Sequence, residues 1–517
     1  MGKGSYQLLV DWNNDGDFTD AHDDITSAVL SLSWERGRDY ASQLQGKSRA
    51  GKLTATLVNT DGKYSPNNTS SALTGNILPG RTVRLLAGPD EAFPYEFPIS
   101  FEDQVKWQGK LDRIKPSPAA KGVKTATLTA LGVLGFINQF NVQLATQTSR
   151  RTDQAIGDIL DGVGWPADDR NLDTGLTTMT RFWISGKKAI DAIRLVEETE
   201  AGFIVEDRDG DVGFQNRHHR LTASASTTSQ ATFSDASGAT YTYSALEQTD
   251  PLSTIVNHVE ASSKVYDTGS VAVLWTHPET GSSSPTLAPG EAKIFEATYP
   301  NPSTATNAVE VNAWTTPAAT TDVLANTASD GTGTNLTSDI TIAASKTAQR
   351  MAITLTNSAT GSDVYLTKIQ ARGTPVTVKD PVVVRAIDTA SQTAHGDRKY
   401  TAATEFIPSS AEAQDWCDYQ MAIYGSPIPI LKMTIQAGDD DNRFQTLVRD
   451  ISDRITVVAT NDAGMGINAD FFIEAERHTV SRQNHVVQWL LSPASGGYSQ
   501  FWVLGTSVLG TDTVPAF

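Results

Sequence analysis

Short stretches that alternate apolar and polar residues, set close together with no helix between them, constrain this chain most. Ala28–Trp34, Lys52–Val58, Thr82–Leu86, Val105–Leu111 and Lys124–Ala130 all run at or near period two. That period places successive side chains on opposite faces of a strand, so each segment can bury one face and wet the other. Turn chemistry separates them: Asn59-Thr-Asp61-Gly62-Lys-Tyr64-Ser-Pro66 is centred on an Asp-Gly pair. Strands at this spacing predict a small barrel or sandwich.

The first strand, Tyr6–Val10, breaks into an oxygen-rich turn at Asp11, Asn13, Asp15, Gly16 and Asp17. The spacing D-x-N-x-D-G is the front half of a calcium loop, in which alternate carboxylates converge on one hard cation. The back half departs from it, because His22 stands where a bidentate Glu belongs and no helix flanks the loop. Asp11, Asn13, Asp15, Asp17 and Asp20 are the candidate calcium ligands. The competing outcome is a hydrated turn held by Asx hydrogen bonds.

Residues 150–217 change period. Thr152 is placed to cap a helix with the apolar face Ile156, Ile159, Leu160 and Val163, stopped by Gly164-Trp165-Pro166. A second helix carries Ala189, Ala192, Ile193 and Val196, with Gly202 as its cap. Gly202–Phe214 then reads as a hairpin around Asp209-Gly210. Residues 261–372 are again strand-like and poor in basic residues, and predict an inserted β-sandwich. Its Trp275, Trp314 and Tyr365 are candidates either for a sugar platform or for the sandwich core. A capping box at Ser409–Glu412 opens one further helix, with Ala413, Trp416, Cys417 and Met421 on one face and Gly425 at its end. Strands resume to about residue 491. The apolar tail Phe501–Gly510, with its repeated Leu-Gly, calls for a neighbour to bury against.

Composition narrows the function. The chain has 517 residues, 41 Lys plus Arg against 59 Asp plus Glu, and a net charge of −18. No basic stripe exists to neutralise phosphates, so stable nucleic-acid binding is not expected. The single cysteine, Cys417, allows no internal disulfide framework. The opening Met-Gly-Lys-Gly-Ser-Tyr lacks the apolar region of a secretory signal, and no stretch is long and apolar enough to span a membrane. No H-E-x-x-H, G-x-S-x-G, phosphate-binding loop or dinucleotide fingerprint occurs. Glu197-Glu198 and Asp439-Asp440-Asp441 read as solvated charge on a helix flank and in a loop. His218-His219, following a strand, points to opposite faces. No catalytic residues are assigned, and the expectation is a non-enzyme.

Several stretches together resemble the tail-tip proteins of long, non-contractile-tailed bacteriophages. They are Val10–Asp20 with Asp23-Asp24-Ile-Thr, Leu57–Pro66, Ile156–Trp165 followed by Gly202–Arg217, Ile369–Pro375 and Trp502–Thr513. The resemblance implies a tail hub protein, related to baseplate hubs: two β-barrels per chain, a homotrimer, and a pseudo-six-fold ring joining a six-fold tube to a three-fold tip. On that scheme the fold is mainly β and multidomain, with two small β-barrels, a small α+β domain and an inserted β-sandwich. Residues 1–140 form the first barrel and 141–220 the helix-and-hairpin domain. Residues 221–260 with 373–495 form a discontinuous second barrel plus helix, 261–372 the sandwich, and 496–517 the tail. The implied partners are a distal tail protein, a tape-measure protein and tail fibre or tip proteins. Viral DNA would pass through without specific binding. The implied location is the virion tail tip, assembled in the host cytoplasm. The alternative is a calcium-dependent carbohydrate-binding adhesin or receptor-binding tail protein. A wall-degrading enzyme would need two convergent carboxylates roughly 5–10 Å apart.

Overall fold

The computed structural model describes residues 5–39, 47–88, 105–117, 122–249, 255–279, 282–300, 308–359, 361–402, 405–425, 429–461, 465–481 and 484–494, with the backbone of 501–502 and 514–515. The expected apolar tail otherwise lies outside the described residues. The chain is mainly β, as its periodicity predicts.

The first module contains β1 (Ser5–Val10), β2 (Val29–Arg38), β3 (Ser48–Val58), β4 (Thr82–Gly88), β5 (Val105–Ser117) and β6 (Thr125–Leu131). They pair in the spatial order β1-β4-β5-β6-β3-β2, every neighbour antiparallel. Alternate residues such as Leu53, Ala55 and Leu57 face a shared core with Trp34, Val83, Leu85, Trp107 and Leu128. Tyr64 and Leu73, from the turn-rich link after β3, plug the same core. The outer edge of β1 is covered by Asp23–Ile25, through Val10 N–H to Asp23 O and Ile25 N–H to Leu8 O.

Next comes a small α+β unit: α1 (Val133–Ile137), β7 (Asn141–Arg151), α2 (Thr152–Gly162), β8 (Arg170–Leu172), β9 (Thr178–Lys188), α3 (Ala189–Glu200), and the hairpin β10 (Phe203–Glu206) with β11 (Val212–Gln215). Ala155, Ile156, Ile159 and Leu160 of α2 meet Ala192, Ile193 and Val196 of α3 in one core. Two expected caps differ. Arg151 precedes the first turn of α2, and the Thr152 hydroxyl donates instead to Glu200 Oε2 at 2.7 Å. Ala201, at φ 57°, not Gly202, takes the left-handed turn after α3.

The second module begins after the short helices α4 (His219–Thr222) and α5 (Ser224–Thr227), with β12 (Thr232–Ser234) and β13 (Ala245–Thr249). His218 and His219 thus sit at a helix start, not on a strand. Then the chain leaves the module. β14 (His258–Ser263) lies in a separate three-stranded sheet. β15 (Tyr266–Thr268), β16 (Ala272–His277), β17 (Thr286–Leu287), β18 (Ala292–Thr298), β19 (Ala308–Trp314), β20 (Val323–Asn326), β21 (Ile340–Lys346), β22 (Arg350–Asn357) and β23 (Val364–Val378) build the sandwich. The long β23 organises one face, and β18-β22-β21 forms the other, around Leu287, Trp314, Met351, Ile353, Leu355 and Leu366. β24 (Val382–Ile387) and β25 (Lys399–Thr401) flank β14, with α6 (Thr389–His395) between them. α7 (Ser410–Tyr424) packs its Ala413, Trp416 and Cys417 into the same core as Val259 and Ala261 of β14, and the Ser409 hydroxyl accepts the Glu412 N–H as expected. Among the described residues of 373–429, no strand joins the second module's sheet.

The chain returns with β26 (Ile430–Gln436), α8 (Asp440–Val448), β27 (Arg454–Ala459), β28 (Ile467–Ser481) and β29 (Asn484–Pro493). Asp439 caps α8 and Asp440 and Asp441 occupy its first turn, so these carboxylates belong to a helix start rather than a loop. The second module pairs in the order β12-β27-β28-β29-β26-β13. Numbered within its own module, each set of six follows the same order, 1-4-5-6-3-2. The match extends to hydrogen bonds. Gly80 N–H to Leu111 O and Leu111 N–H to Arg81 O in the first module correspond to Ser452 N–H to Ile473 O and Ile473 N–H to Asp453 O in the second. The fifth strand bulges just beyond, at Leu111/Arg113 and at Ile473/Ala475. One pair differs in sense: β12 runs parallel to β27, whereas β1 is antiparallel to β4. The two modules fuse into one twelve-stranded sheet where β2 pairs antiparallel with β28, from Ser31↔Ser481 to Gly37↔Ala475.

Candidate functional site

The seam between β2 and β28 carries the densest chemistry in the described residues. Arg36 of β2 donates Nε to Glu476 Oε1 at 2.6 Å, Nη2 to Asp450 Oδ1 at 2.5 Å and Nη1 to the Glu206 carbonyl at 3.1 Å. Arg208, from the β10–β11 turn, reaches the other oxygen of Asp450 at 2.8 Å. Two residues along β2, Arg38 donates to Glu474 Oε2 at 2.7 Å, and Arg220 of α4 donates to both Glu474 oxygens at 2.7 and 3.0 Å. The Ser492 hydroxyl also donates to Glu474. The Phe203 ring lies 3.4 Å from the Arg38 guanidinium carbon and 5.0 Å from that of Arg220. Both modules and the α+β hairpin are thus joined by one set of charges.

Burial makes these pairs consequential. The Arg38 and Glu474 side chains are both fully buried. Burial alone would push the Glu474 carboxyl up, but the Arg220 and Arg38 guanidiniums and their hydrogen bonds overcome it and hold the group at about 2. Asp450 is held far below the usual carboxylate range by Arg36 and Arg208 against the same opposing burial. Removing one partner of such a pair leaves an unpaired buried charge.

Glu206 is a second tie. Its carboxylate accepts Gly51 N–H at 2.6 Å and Leu134 N–H at 2.7 Å, which links β3 and the first turn of α1 to the hairpin. A Cβ at Gly132 would stand 2.2 Å from Glu206 Oε2, so glycine is required there. Burial raises Glu206 to about 7.

At the other end of the seam a chain of aromatic side chains crosses from module to module. Tyr6 Oη lies 2.9 Å from His485 Nδ1, and His485 Nε2 lies 3.0 Å from His478 Nδ1. Trp34 stacks on His478 at 4.3 Å between centroids. Burial, then the neighbouring His478 and Arg443, lowers His485 to about 2, so it stays neutral.

The two carboxylates of α3 expected to be solvated, Glu197 and Glu198, are buried, and so is Glu200. Glu197 Oε1 accepts Ile204 N–H at 2.8 Å, Glu198 Oε1 accepts the Tyr400 hydroxyl at 2.6 Å, and Glu200 accepts from Thr152, Thr177 and Arg217. Apart from Ile204, these partners lie well outside the helix's own neighbourhood in sequence, so nothing in the local charge pattern announces them. Arg36, Arg38 and Glu474 were missed for the same reason. Their one visible signal is a charge at an inward position of an otherwise alternating strand.

The five candidate calcium ligands fall in one loop. Asp11, 2% exposed, spends both carboxylate oxygens on the loop's own backbone, accepting from Asn14, Asp15 and Gly16 N–H. The Asn13 amide nitrogen donates to Asp15 at 2.8 Å and to Asp20 at 2.6 Å, while Asp17 accepts from Thr19. To ligate a cation, Asn13 must turn its oxygen toward Asp15 and Asp20. Among the described residues no group of three or more His, Cys, Asp or Glu is disposed to hold a metal. In the sandwich, Trp314 is buried, with its indole N–H on Thr347 O at 2.7 Å, and Trp275 stacks on His277. A groove of about 230 Å³ opens along the seam, and its lining carries no Ser, Thr, Cys or His. Its carboxylates Glu35, Asp39 and Glu476 each face an arginine: Arg477, Arg49 and Arg36.

No family model and no curated protein matches the chain. Among solved structures it is similar to a tail protein from Neisseria meningitidis MC58, at 11% identity and TM-score 0.49, over 94% of this chain and 96% of that one. It is also similar to the 43 kDa tail protein of prophage MuSo2 from Shewanella oneidensis, at 8% identity and TM-score 0.48, over 95% and 98%. The prophage tail protein gp18 from Listeria monocytogenes EGD-e aligns at 7% identity and TM-score 0.41, over 94% of each chain.

Proposed function

We propose that this chain is a structural protein of a phage-type tail tip, a hub that joins the tail tube to the tip and forms part of the channel through which DNA leaves. The observation that carries the reading is the repetition of one six-strand topology, 1-4-5-6-3-2, fused edge to edge through β2 and β28. A chain with two like modules lets three copies present six like surfaces, which is what a three-fold tip beneath a six-fold tube requires. The ordered sequence motifs point the same way. The buried Arg–carboxylate pairs suit a rigid joint between modules rather than a catalytic cleft. On this reading the copies form a homotrimer in the virion, with a distal tail protein, a tape-measure protein and fibre or tip proteins as neighbours. The net charge of −18 keeps DNA from adhering as it passes.

Electron microscopy of purified tails carrying this protein tests the proposal. A ring of six module-sized densities from three chains at the tube's end is expected. Copies standing off the tail axis would overturn it in favour of the adhesin reading.

A further inference from the structure

The sandwich is fastened to the α+β unit by a joint that holds a buried carboxyl group. Gln143 of β7 donates to the Thr347 hydroxyl at 2.9 Å. Arg181 of β9 donates to Asn312 Oδ1 at 2.8 Å and to the Thr268 hydroxyl. Trp183 of β9 meets the Tyr266 ring edge-on at 5.3 Å between centroids, and Ala348 of the sandwich sits in the core of the α+β unit. Glu310 of β19 belongs to the same joint and is fully buried. β19 shifts register against β23 on both sides of Glu310 and Val311, and such bulges re-aim side chains.

The hydrogen bonds of Glu310 fit one proton state better than the other. The Thr146 hydroxyl of β7 has a single proton and two acceptors in reach, Glu310 Oε2 at 2.5 Å and the Val311 carbonyl at 3.1 Å. A carboxylate can only accept, so it and Val311 compete for that proton. A neutral carboxyl donates to the Thr146 oxygen and leaves the Thr146 proton to Val311, which completes both contacts. Among the described residues Glu310 Oε1 accepts no hydrogen bond. Arg181 Nη1 stands 3.7 Å away, and Arg181 gives its hydrogen bonds to neutral acceptors. A buried carboxylate would draw that guanidinium to itself. The other titratable groups facing Glu310 are Glu405, which opposes its ionisation, and Tyr266, whose hydroxyl donates to the Glu405 carbonyl at 3.1 Å. Lys264 stands 4.0 Å from the Glu405 carboxylate.

We propose that Glu310 is a proton-held latch: the neutral acid keeps the sandwich seated on the α+β unit, and its ionisation loosens the joint. The latch requires nothing of the tail-hub reading, since both halves of the joint lie within one chain.

Burial raises the Glu310 carboxyl from 4.5 to about 7, while Thr146 and Arg181 act to lower it. Once the joint opens, water restores the ordinary value, so seating the sandwich takes up a proton between pH 4.5 and about 7. The raised acid therefore seats the sandwich most firmly below pH 4.5. The joint weakens as the pH rises, by up to about tenfold per pH unit, and is weakest above about pH 7.

Ala348→Cys in the full chain places a thiol in the joint, where opening exposes it. Native Cys417, fully buried in a different core, reports global unfolding. Labelling by a thiol reagent is compared with and without Glu310→Gln, which keeps the shape of the neutral acid and cannot ionise. The ratio of the two rates cancels the pH dependence of thiol chemistry. That ratio, Glu310 chain over variant, is expected to rise at least about tenfold from about pH 5 to about pH 8, with Cys417 protected throughout. A flat ratio, or Cys417 labelled in step, overturns the latch. Arg181→Gln gives a second readout, and the deciding one if Glu310→Gln does not fold. Removing the facing cation raises the Glu310 carboxyl further. The Arg181→Gln chain should therefore keep labelling faster, relative to the chain that retains Arg181, as the pH climbs above about 7. A constant ratio there overturns the latch as well.

Discussion

Gly37 of β2 lies so close to Ala475 of β28 that a Cβ built on Gly37 would stand 2.5 Å from the Ala475 Cα and 2.5 Å from the Glu474 carbonyl oxygen. Gly37 also holds φ 118°, a backbone setting that side chains disfavour. The close approach is where the modules meet, so its loss should be felt by both. Gly37→Ala is expected to lower stability by about 2–4 kcal/mol, read by denaturant unfolding, and to increase proteolysis at the junction before either module is cut. Unchanged stability would mean that the seam does not need this contact.

Glu474 is the node of the buried charges, since Arg38, Arg220 and Ser492 all donate to it. Glu474→Gln removes the carboxylate on which the buried Arg38 and Arg220 guanidiniums converge. The expected loss is about 3–5 kcal/mol, measured by chemical denaturation. Replacing Arg38 and Glu474 together by apolar residues should cost less than the sum of the single changes, because Arg220 alone then loses its carboxylate. Additive losses would show that the three groups do not act as a unit.

The period-two segments of β2, β3 and β6, the β10–β11 hairpin and the Ser409-capped helix were legible because each is set by neighbours in sequence. Alternation, an Asp-Gly turn and a capping hydroxyl are local devices. The repeated topology was not legible, because the modules share hydrogen-bond pattern rather than residues: Lys110 of one matches Phe472 of the other. Glu197 and Glu198 misled for a related reason. A pair of acids on a helix flank reads as solvated until Tyr400 and Trp416 arrive from elsewhere to cover it. The spacing of Asp11, Asn13 and Asp15 did predict a closed oxygen-rich turn, but not that Asp11 would be consumed by three backbone N–H groups.

His485 makes stability fall on the acid side. Its folded value, about 2, lies below the ordinary value of 6.5. Below about pH 6.5 the unfolded chain therefore binds more protons than the folded one, and stability drops by up to about 1.4 kcal/mol per pH unit. Burial raises Glu206 to about 7 and Asp207 to about 6, and these groups act in the opposite sense. The informative quantity is the difference between wild type and His485→Gln. The variant's acid limb is expected to be flatter between pH 6.5 and 4, measured by urea unfolding at each pH. Parallel curves would show that His485 takes up a proton without unfolding.

The Asp11 loop separates two outcomes cleanly. Three backbone N–H groups end on Asp11, so Asp11→Ala should cost about 1–2 kcal/mol whether calcium or a chelator is present. If the loop binds calcium, the wild type gains stability from calcium but not from magnesium, by mass action on the folded state. That gain disappears in Asp15→Asn, which leaves the Asp11 hydrogen bonds intact. We expect the Asp11→Ala loss to be the same in both buffers, because the turn is closed by its own amides. A calcium-specific rise in Tm that Asp15→Asn abolishes would instead assign Asp11, Asn13, Asp15, Asp17 and Asp20 as ligands, with Asn13 turned to present its oxygen.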